Sequence, residues 1–441
     1  MNFEQLVSLL RDKGIAGAGG AGFPAYAKLN KKADILILNC AECEPLLGVH
    51  RQLLANYAYE ILSTLDTVAK ALGGIKEIII CLKGTYKEAI DAVNANLDQF
   101  KNVRMHFLGE FYPAGDEIVT IYEATGRKVK PGKIPISEGV IVFNTETVFN
   151  MYKAIEEDLP VTHKYLTIAG EVKKPVTLKA PIGITYCELL RRAGINSEDV
   201  ELIAGGPMTG RLANRLDVVT KTTNAILVLP KNSFVINKKH AKSSIDMKRA
   251  MSSCCQCSMC TDLCPRNLLG HPIDPKEFMR TATTGVTKEV KPFLDTMFCS
   301  GCGVCEMFAC PQGLSPRTLI NAYKGGLRAE GIAIPEREIK ETNKARSYRK
   351  VSMSRLISRL GLKKYDVPAP LTEEEIKTKE VKIFLSQSIG APALATVKKG
   401  DKVKCGDIVA KFKEDALSIN LHSSIDGTVY AVNEKFITIR G

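Results

Sequence analysis

The sequence lacks the features that would place it in a membrane or send it out of the cell. It contains no run of about twenty apolar residues, the length that a membrane-spanning helix requires. The first residues, MNFEQLVSLLRDKG, do not have the basic, apolar and small-residue order of a secretory signal. No nucleic-acid-binding motif accompanies the 61 Lys and Arg residues, although the net charge is +13. We therefore expect a cytoplasmic protein with no membrane span and no nucleic-acid partner.

Cysteine, in contrast, is abundant. The chain of 441 residues is long enough for about three domains, and it contains 14 cysteines. Without an export signal, so many thiols indicate a reducing environment and metal ligation rather than disulfides. Most of them fall into two runs, in which three cysteines at x2 spacing are followed by a Cys-Pro pair. The runs are Cys254-x2-Cys257-x2-Cys260-x3-Cys264-Pro265 and Cys299-x2-Cys302-x2-Cys305-x4-Cys310-Pro311.

Such runs are typical of proteins that hold two [4Fe–4S] clusters. Three closely spaced thiolates surround one cluster, and in two-cluster ferredoxins the fourth cysteine of a run ligates the other cluster. We therefore predict two cysteine sets that exchange one member. The first set is Cys254, Cys257, Cys260 and Cys310, and the second set is Cys264, Cys299, Cys302 and Cys305. A zinc site or a disulfide framework is the alternative, and the x4 spacing departs from the simplest ferredoxin pattern.

The remaining sequence predicts an α/β protein with several modules. The segments ILILN at 35–39 and EIIICL at 77–82 are typical of buried strands, and 59–72 is typical of a helix between them. This alternation favours a mainly parallel sheet. Later segments predict a small α+β module, short helices around the cysteines, a basic linker with one helix, and an all-β module. The expected limits are 1–155, 156–240, 241–330, 331–375 and 376–441.

Glycine is dense before the first predicted strand, from Gly14 to Gly22. Such a loop lets the backbone approach a phosphate closely and direct N–H groups at it. It is not a Walker loop, because no Gly-Lys-Ser/Thr follows, and no clear strand precedes it as a Rossmann fingerprint requires. A flexible turn is the alternative. Three further segments combine Asn or Gly with acidic residues, and these are Asn39–Pro45, Tyr112–Glu117 and Asn144–Thr147.

In this order, the four segments resemble the flavin-carrying, NADH-binding subunit of respiratory complex I and its relatives. The segments Cys264-Pro-Arg-Asn-Leu-Leu-Gly-His271 and Ala309-Cys310-Pro-Gln-Gly-Leu-Ser-Pro316-Arg317 are similar to the RnfC/PduS-like family, closest to its cobalamin-reductase branch. The resemblance implies a complex-I-flavin-subunit-like domain, an SLBB β-grasp module, an α-helical two-cluster ferredoxin-like domain and a C-terminal barrel-sandwich-like module. In RnfC this last module comes first in the chain.

The resemblance also implies roles for individual residues. Those that would hold FMN are Gly17, Gly19, Gly20, Lys28, Asn39, Glu42, Tyr112, Gly115, Asp116, Asn144 and Thr147. Those that would bind NADH are Phe23, Glu44 and Glu117. Two positions depart from complex I, which has an arginine in place of Ala18 and an aspartate in place of Ala41. These departures bear on the NADH contacts rather than on the FMN cradle.

The implied function is an NADH-dependent oxidoreductase that passes electrons through FMN and two [4Fe–4S] clusters to a partner. Flavin accepts hydride and releases single electrons, which clusters require. The acceptor would be a corrinoid, a corrinoid enzyme or another protein, in the cytoplasm or a bacterial microcompartment. One alternative is an RnfC-like subunit of a larger complex, such as methylenetetrahydrofolate reductase, amino-acid reductase or Rnf. The other is an iron–sulfur scaffold with a vestigial flavin site.

Residues 344–364 contain eight Lys or Arg residues and no acid. They are either a docking surface for an acidic partner or a solvated helix face.

Overall fold

A parallel sheet organises the N-terminal part of the chain. The computed structural model describes residues 1–285 and 288–441. The first strands are β1 (Ile35–Asn39), β2 (Glu77–Lys83), β3 (Val103–Leu108), β4 (Phe111–Tyr112) and β5 (Val140–Asn144). Four of them form a sheet in the order β3-β2-β1-β5, and every neighbouring pair is parallel. The predicted strands and the mainly parallel sheet are confirmed, and the second strand extends one residue beyond the prediction.

Helices cover both faces of this sheet. They are α1 (Phe3–Asp12), α2 (Val49–Asn56), α3 (Ala58–Leu72), α4 (Lys87–Asn94), α5 (Glu117–Thr125) and α6 (Thr145–Glu156). Residues of β1 alternate between two hydrophobic cores. Leu36 and Leu38 pack with residues of α1 to α4 and α6, whereas Ile35 and Ile37 pack with α5. A strand buried on both faces must be apolar throughout, which is why its sequence reads as one continuous run. The helix predicted at 59–72 is confirmed as α3.

The next part of the chain forms a mixed sheet. Its elements are β6 (His163–Gly170), β7 (Val176–Pro181), α7 (Tyr186–Ala193), β8 (Val200–Ala204), β9 (Arg211–Ala213), β10 (Ala225–Pro230) and α8 (Phe234–Lys239). The strand order is β7-β6-β10-β8-β9, with β6 and β10 parallel and the other pairs antiparallel. The segment is therefore a small α+β unit, as its sequence predicts.

Short helices follow and contain the cysteine runs. They are α9 (Ser243–Ser253), α10 (Met259–Asp262), α11 (Pro265–Leu268), α12 (Pro275–Thr284), α13 (Lys291–Leu294) and α14 (Pro316–Ala329), with a π-helical turn at Cys305–Ala309. Within the described part of 241–330, every regular element is helical. A small core around Phe278 and Ile320 holds these helices together.

The segment expected to be a linker instead pairs with two earlier sheets. It contains β11 (Val351–Ser352), α15 (Met353–Arg359) and β12 (Leu371–Thr372). Strand β11 is antiparallel to β4, and β12 is parallel to β7 at the edge of the second sheet. Two-residue strands leave almost no signal in a sequence, so only the single helix was predictable.

Many charges of the basic stretch 344–364 are satisfied inside the molecule. Arg346 and Lys350 both pair with Glu123 on α5. Arg349 pairs with Asp262 on α10, and Lys364 pairs with Glu171 at the end of β6. Arg355 and Arg359 on α15 are exposed. Only part of the stretch is therefore available as a docking surface.

The C-terminal part is all β, as predicted. Its strands are β13 (Glu380–Phe384), β14 (Leu394–Ala395), β15 (Lys402–Val403), β16 (Ile408–Lys411), β17 (Leu421–His422), β18 (Gly427–Val432) and β19 (Phe436–Arg440). They form two small sheets, in the orders β13-β19-β18-β15 and β14-β16-β17. Val381 and Ile439 share one hydrophobic core with Leu6 and Leu10 of α1, so this module packs on the N-terminal part. No helix in the described ranges is long and apolar enough to cross a membrane.

A buried ion pair joins the second sheet to helix α6, which covers the first sheet. Lys164 in β6 pairs with Glu146 in the first turn of α6, and the two side chains are 1% and 0% exposed. Lys164 also donates to the Tyr165 carbonyl at 2.7 Å, and the Tyr165 N–H donates to Glu146 at 2.9 Å. The charges are therefore fully paired where water is absent.

We predict that Lys164→Met destabilises the protein by about 3–5 kcal/mol, because it leaves the Glu146 carboxylate buried without its cation. Thermal unfolding should show a lower midpoint. The double variant Lys164→Met/Glu146→Leu should recover part of the loss, since no unpaired charge remains. A single variant as stable as the parent would show that the pair is dispensable.

Candidate functional site

A cavity of about 560 Å³ lies between the glycine loop, β5 and the start of α6. Predicted site residues from all four sequence segments line it. These are Gly17, Gly19, Gly20, Phe23, Lys28, Asn39, Gly115, Glu117, Asn144 and Thr147. Because β1 and β5 are adjacent and parallel, the residues that follow them lie at the same edge of the sheet.

The glycine loop lies in backbone contact with the beginning of α6. The Ala18 N–H donates to Thr147 Oγ1 at 2.9 Å. A Cβ on Gly19 would lie 2.2 Å from Asn144 Nδ2, so no side chain fits there. Gly20 is different, since a Cβ on it would have nothing within 4 Å. Gly19 therefore permits the close approach, and Gly20 leaves the cavity open.

The beginning of α6 lies at the cavity and is closed by its own cap residue. Asn144 caps the helix, with Oδ1 accepting from the N–H groups of Glu146 at 3.0 Å and Thr147 at 3.4 Å. Its Nδ2 lies 2.9 Å from His50 Nε2. Burial lowers the pKa of His50, so the ring is neutral and can accept this bond. A glycine loop facing a helix N-terminus fits the phosphate of FMN, because the loop lets an anion come close and the positive end of the helix dipole attracts it.

A charged pair stands in the wall of the same cavity. Lys28 Nζ lies 2.7 Å from Glu117 Oε1 and donates to the Val142 carbonyl at 3.0 Å. Both side chains are partly accessible, with exposures of 27% and 38%. The lysine predicted to approach FMN and the glutamate predicted to position NADH are therefore partners in this structure.

The part of the wall formed by Asn39 and Gly115 is tightly packed. Asn39 Nδ2 donates to the Gly115 carbonyl at 2.9 Å, and Asn39 Oδ1 accepts from the Ala41 N–H at 3.1 Å. A Cβ on Gly115 would lie 3.2 Å from Ala41 Cβ and 3.3 Å from Cys43 Sγ. Ala41 is fully buried in this contact and does not line the cavity.

Glu42 and Glu44 lie outside the cavity lining. Glu42 Oε2 accepts from the Arg51 N–H at 3.1 Å. Glu44 accepts from the N–H groups of Met208 and Thr209, each at 2.9 Å, and from the Thr209 hydroxyl at 2.5 Å. Glu44, which was predicted to contact NADH, therefore has its carboxylate bonded to the loop after β8, outside this cavity.

Tyr112 and Asp116 contact the cysteine region instead of the cavity. The Tyr112 hydroxyl donates to the Cys302 carbonyl at 2.7 Å. Asp116 caps α5 by accepting from the Ile118 N–H at 3.1 Å, and it forms an ion pair with Arg266 at 2.9 Å. Only Gly115, between them, reaches the cavity.

The cavity also contains residues that the sequence did not suggest. Ile134 and Pro135 line it from the loop before β5, and Ile389 lines it from the C-terminal module. The Ile389 N–H donates to the Gly22 carbonyl at 3.0 Å, which holds the module against the glycine loop. Ile389 is separated from that loop by most of the chain, so no local pattern could have found it.

Each predicted cysteine set lines a cavity of its own. The first set lies beside Met279 and Leu314, and the second lies beside Arg266 and Arg317. Cys310 joins the first run and Cys264 joins the second, which is the exchange predicted from the spacing. Among the described residues, no three His, Cys, Asp or Glu side chains are gathered closely enough to hold one metal ion.

The surroundings of the thiols fit iron–sulfur clusters. The Gly301 N–H donates to Cys299 Sγ at 3.3 Å, and the Leu314 N–H donates to Cys310 Sγ at 3.4 Å, as sulfur-directed bonds do around clusters. Burial raises the pKa of Cys302 to about 11. Such a thiol keeps its proton unless a metal cation replaces it, so thiolate formation and iron binding are coupled.

Three family models match successive parts of the chain. The Nuo51 FMN-binding domain matches residues 10–153. A 4Fe–4S dicluster domain matches residues 253–315, and the RnfC barrel sandwich hybrid domain matches residues 362–440. They cover the glycine-loop cavity, both cysteine sets and the C-terminal module.

The chain is similar over its whole length to two curated proteins. It is 40% identical over 441 residues to the cobalamin reductase PduS of Salmonella typhimurium, covering 100% of this chain and 97% of the relative. It is also 40% identical to PduS of Citrobacter freundii, covering 98% and 95%. A component of the Na⁺-translocating ferredoxin:NAD⁺ oxidoreductase complex of Acetobacterium woodii is 30% identical, covering 63% of this chain and 61% of that component.

Identity of this level over the full length, together with the three matched domains, establishes the family. The chain belongs to the PduS cobalamin reductase family and is an NADH-linked electron-transfer oxidoreductase with an FMN-binding domain and a 4Fe–4S domain.

Proposed function

We propose that this chain reduces a corrinoid with electrons from NADH, converting cob(III)alamin to cob(I)alamin. The observation that carries the proposal is the full-length similarity to the PduS cobalamin reductases, in which the first domain, both cysteine runs and the C-terminal module all align. One NADH becomes NAD⁺ and a proton, and it gives up the two electrons that Co(III) needs to become Co(I). We place this reaction in the cytoplasm or in a bacterial microcompartment.

The cofactors supply the redox chemistry when they are bound, since FMN exchanges hydride equivalents for the single electrons that [4Fe–4S] clusters accept. The chain's part is to bind and orient. In our assignment, Gly17, Gly19 and Gly20 receive the FMN phosphate together with the N-terminus of α6. Asn39, Gly115 and Lys28 contribute to the same cavity lining.

NADH would enter the same cavity from its open side. Phe23 lines the cavity and is partly exposed, so its ring is available for stacking on a nucleotide base. Glu117 lines it as well, and its partner Lys28 holds the carboxylate in place. We propose these two residues as the NADH contacts.

We also keep the domain limits 1–155, 156–240, 241–330, 331–375 and 376–441 as a proposal. The six-stranded mixed sheet that β12 completes is assigned to the SLBB β-grasp module. The pairing of β11 and β12 makes 331–375 a part of two sheets rather than an independent unit.

A second candidate is an NADH-oxidising subunit of a larger complex. The RnfC match at residues 362–440 and the similarity to the component of the Acetobacterium woodii oxidoreductase complex favour it. The exposed Arg355 and Arg359 of α15 would then contact an acidic neighbour. The partial coverage of that component makes this the weaker candidate.

We predict that the anaerobically purified protein reduces cob(III)alamin with NADH and that Gly20→Val abolishes this reaction. A Cβ at position 20 would have no protein atom within 4 Å, so the fold should survive while the valine side chain occupies space at the cavity. Bound flavin should fall to a small fraction of the parent value, with the iron content unchanged.

Gly84→Val is the matched control. Gly84 is also exposed and has nothing within 4 Å of a Cβ, but it lies away from the cavity lining. It should keep both flavin and activity. Full flavin in the Gly20→Val variant would show that the loop is misassigned. A parent protein that holds flavin but does not reduce the corrinoid would favour the second candidate.

We predict that Phe23→Ala and Glu117→Gln raise the KM for NADH or slow flavin reduction while the flavin content holds. Losing a stacked ring and a charged anchor misaligns the hydride donor, and misplacement of about 1 Å can cost as much as 10²-fold in rate. Stopped-flow flavin bleaching measures this directly. Unchanged NADH kinetics in both variants would rule out these contacts.

We predict about eight irons per chain, held by two clusters. Cys257→Ser and Cys302→Ser should each remove roughly half of the iron, because each substitution disrupts one cysteine set. Iron analysis and electron paramagnetic resonance of the reduced protein check this. Tightly bound zinc without cluster absorption would contradict it.

A further inference from the structure

One short loop contacts the flavin cavity and the second cysteine set at the same time. The loop runs from Tyr112 to Asp116, between β4 and α5. Gly115 forms part of the cavity wall, and three residues earlier the Tyr112 hydroxyl donates to the Cys302 carbonyl at 2.7 Å. The backbone from Tyr112 to Gly115 spans at most about 10 Å. One short stretch of chain therefore contains both a part of the cavity wall and the side chain that bonds the Cys302 loop.

The other end of the loop makes a second connection. Asp116 pairs with Arg266 at 2.9 Å, and their side chains are 11% and 13% exposed. Arg266 lies two residues after Cys264 and lines the cavity of the second cysteine set. Its Nε is buried without a hydrogen-bond partner among the described residues, so it is an available donor beside those thiols.

The loop is held rigidly in this position. Tyr112 is 3% exposed, and β4 pairs with β11, which places Val351 opposite Tyr112. A fixed donor on a buried ring defines the distance to Cys302 better than a surface side chain could.

The first cysteine set has the opposite character. Cys257 and the neighbouring Cys255 are exposed. Met251 and Met259 near them are 62% and 40% exposed, so this set lies close to apolar side chains on the surface of the molecule. A partner can approach the first set directly, whereas the second is enclosed against the flavin-side domain.

We propose that the loop 112–116 couples the FMN cavity to the second cysteine set, and that the first set is the exit toward the acceptor. This order rests on the proposed function. Two electrons leave NADH as hydride, NAD⁺ and a proton are released, and the electrons pass singly along the second set and then the first. Tyr112 and Arg266 are positioning residues in this scheme, because they fix the second set against the cavity.

The order can be tested by removing one set at a time. In Cys302→Ser, NADH should still bleach the flavin. Dithionite should reduce the cluster of the first set, but NADH should reduce that cluster at least about tenfold more slowly than in the parent protein. In Cys257→Ser, NADH should reduce the remaining cluster at the parental rate, while transfer to the corrinoid is lost. Electron paramagnetic resonance of samples frozen during the reaction identifies the reduced cluster.

The bridge is tested separately with Tyr112→Phe, which removes only the hydroxyl. Flavin content, iron content and flavin bleaching should be unchanged, and cluster reduction by NADH should slow by about tenfold. Tyr365→Phe is the control, because Tyr365 is buried in the same core and its hydroxyl bonds Glu171 across another module boundary. It should keep the parental rate.

The outcomes separate the two proposals. If NADH does not bleach the flavin of the parent protein, the proposed function fails. If bleaching is normal but the first set is reduced by NADH at the parental rate in Cys302→Ser, the order is overturned. Should the cysteine variants lose all iron, a parental rate of cluster reduction in Tyr112→Phe overturns the bridge.

Discussion

Backbone contact between the glycine loop and the start of α6 is the constraint on which the flavin-side architecture depends. The Ala18 N–H reaches Thr147 only because Gly19 has no Cβ to collide with Asn144. Without that approach, the loop would not lie against the positive end of the α6 dipole, which favours an anion. The helix is in turn held by the ion pair between Glu146 and Lys164, and Lys164 belongs to the second sheet. The cavity therefore depends on a module that contributes nothing to its lining.

The module that contains the second sheet also connects the flavin-side domain to the cysteine sets. Its loop after β8 is held from one side by Glu44, which accepts from the Met208 N–H. From the other side, Arg317 beside the second cysteine set donates to the Met208 carbonyl at 2.5 Å and pairs with buried Glu306 at 2.8 Å. Charges this deeply buried are tolerated only when every one is paired, so the loop cannot shift without leaving a carboxylate or guanidinium unsatisfied. Two separate connections thus hold the second set against the flavin-side domain.

Patterns within short stretches of sequence predicted the parts of the molecule that local physics determines. Continuous apolar runs gave β1 and β2, cysteine spacing gave the composition of both sets, and glycine density located the loop that lines the cavity. The roles of Glu44, Tyr112 and Asp116 were not predictable, because their partners Thr209, Cys302 and Arg266 come from distant segments. In a sequence, acidic residues near a glycine loop indicate ligand contacts. The tertiary structure shows that Glu44 and Asp116 bond to other parts of the protein. The pairings of β11 and β12 were hidden for a different reason, since two-residue strands have no period to detect.

The C-terminal module docks against the N-terminal part of the chain. Arg11 at the end of α1 donates to the Lys413 and Glu414 carbonyls, and the Asn420 N–H donates to the Arg11 carbonyl. The module therefore docks beside the first helix of the chain. A module that packs next to α1 can be joined at either end without changing its contacts, as circular permutation exploits. The resemblance to RnfC implies the same module at the start of that chain, and the geometry here accommodates both orders. The surface through which the module contacts the glycine loop must be preserved. There the Ile389 N–H donates to the Gly22 carbonyl, and Lys221 Nζ donates to the Gly14 carbonyl. The module's contacts with the glycine loop, rather than its place in the sequence, determine its part in the site.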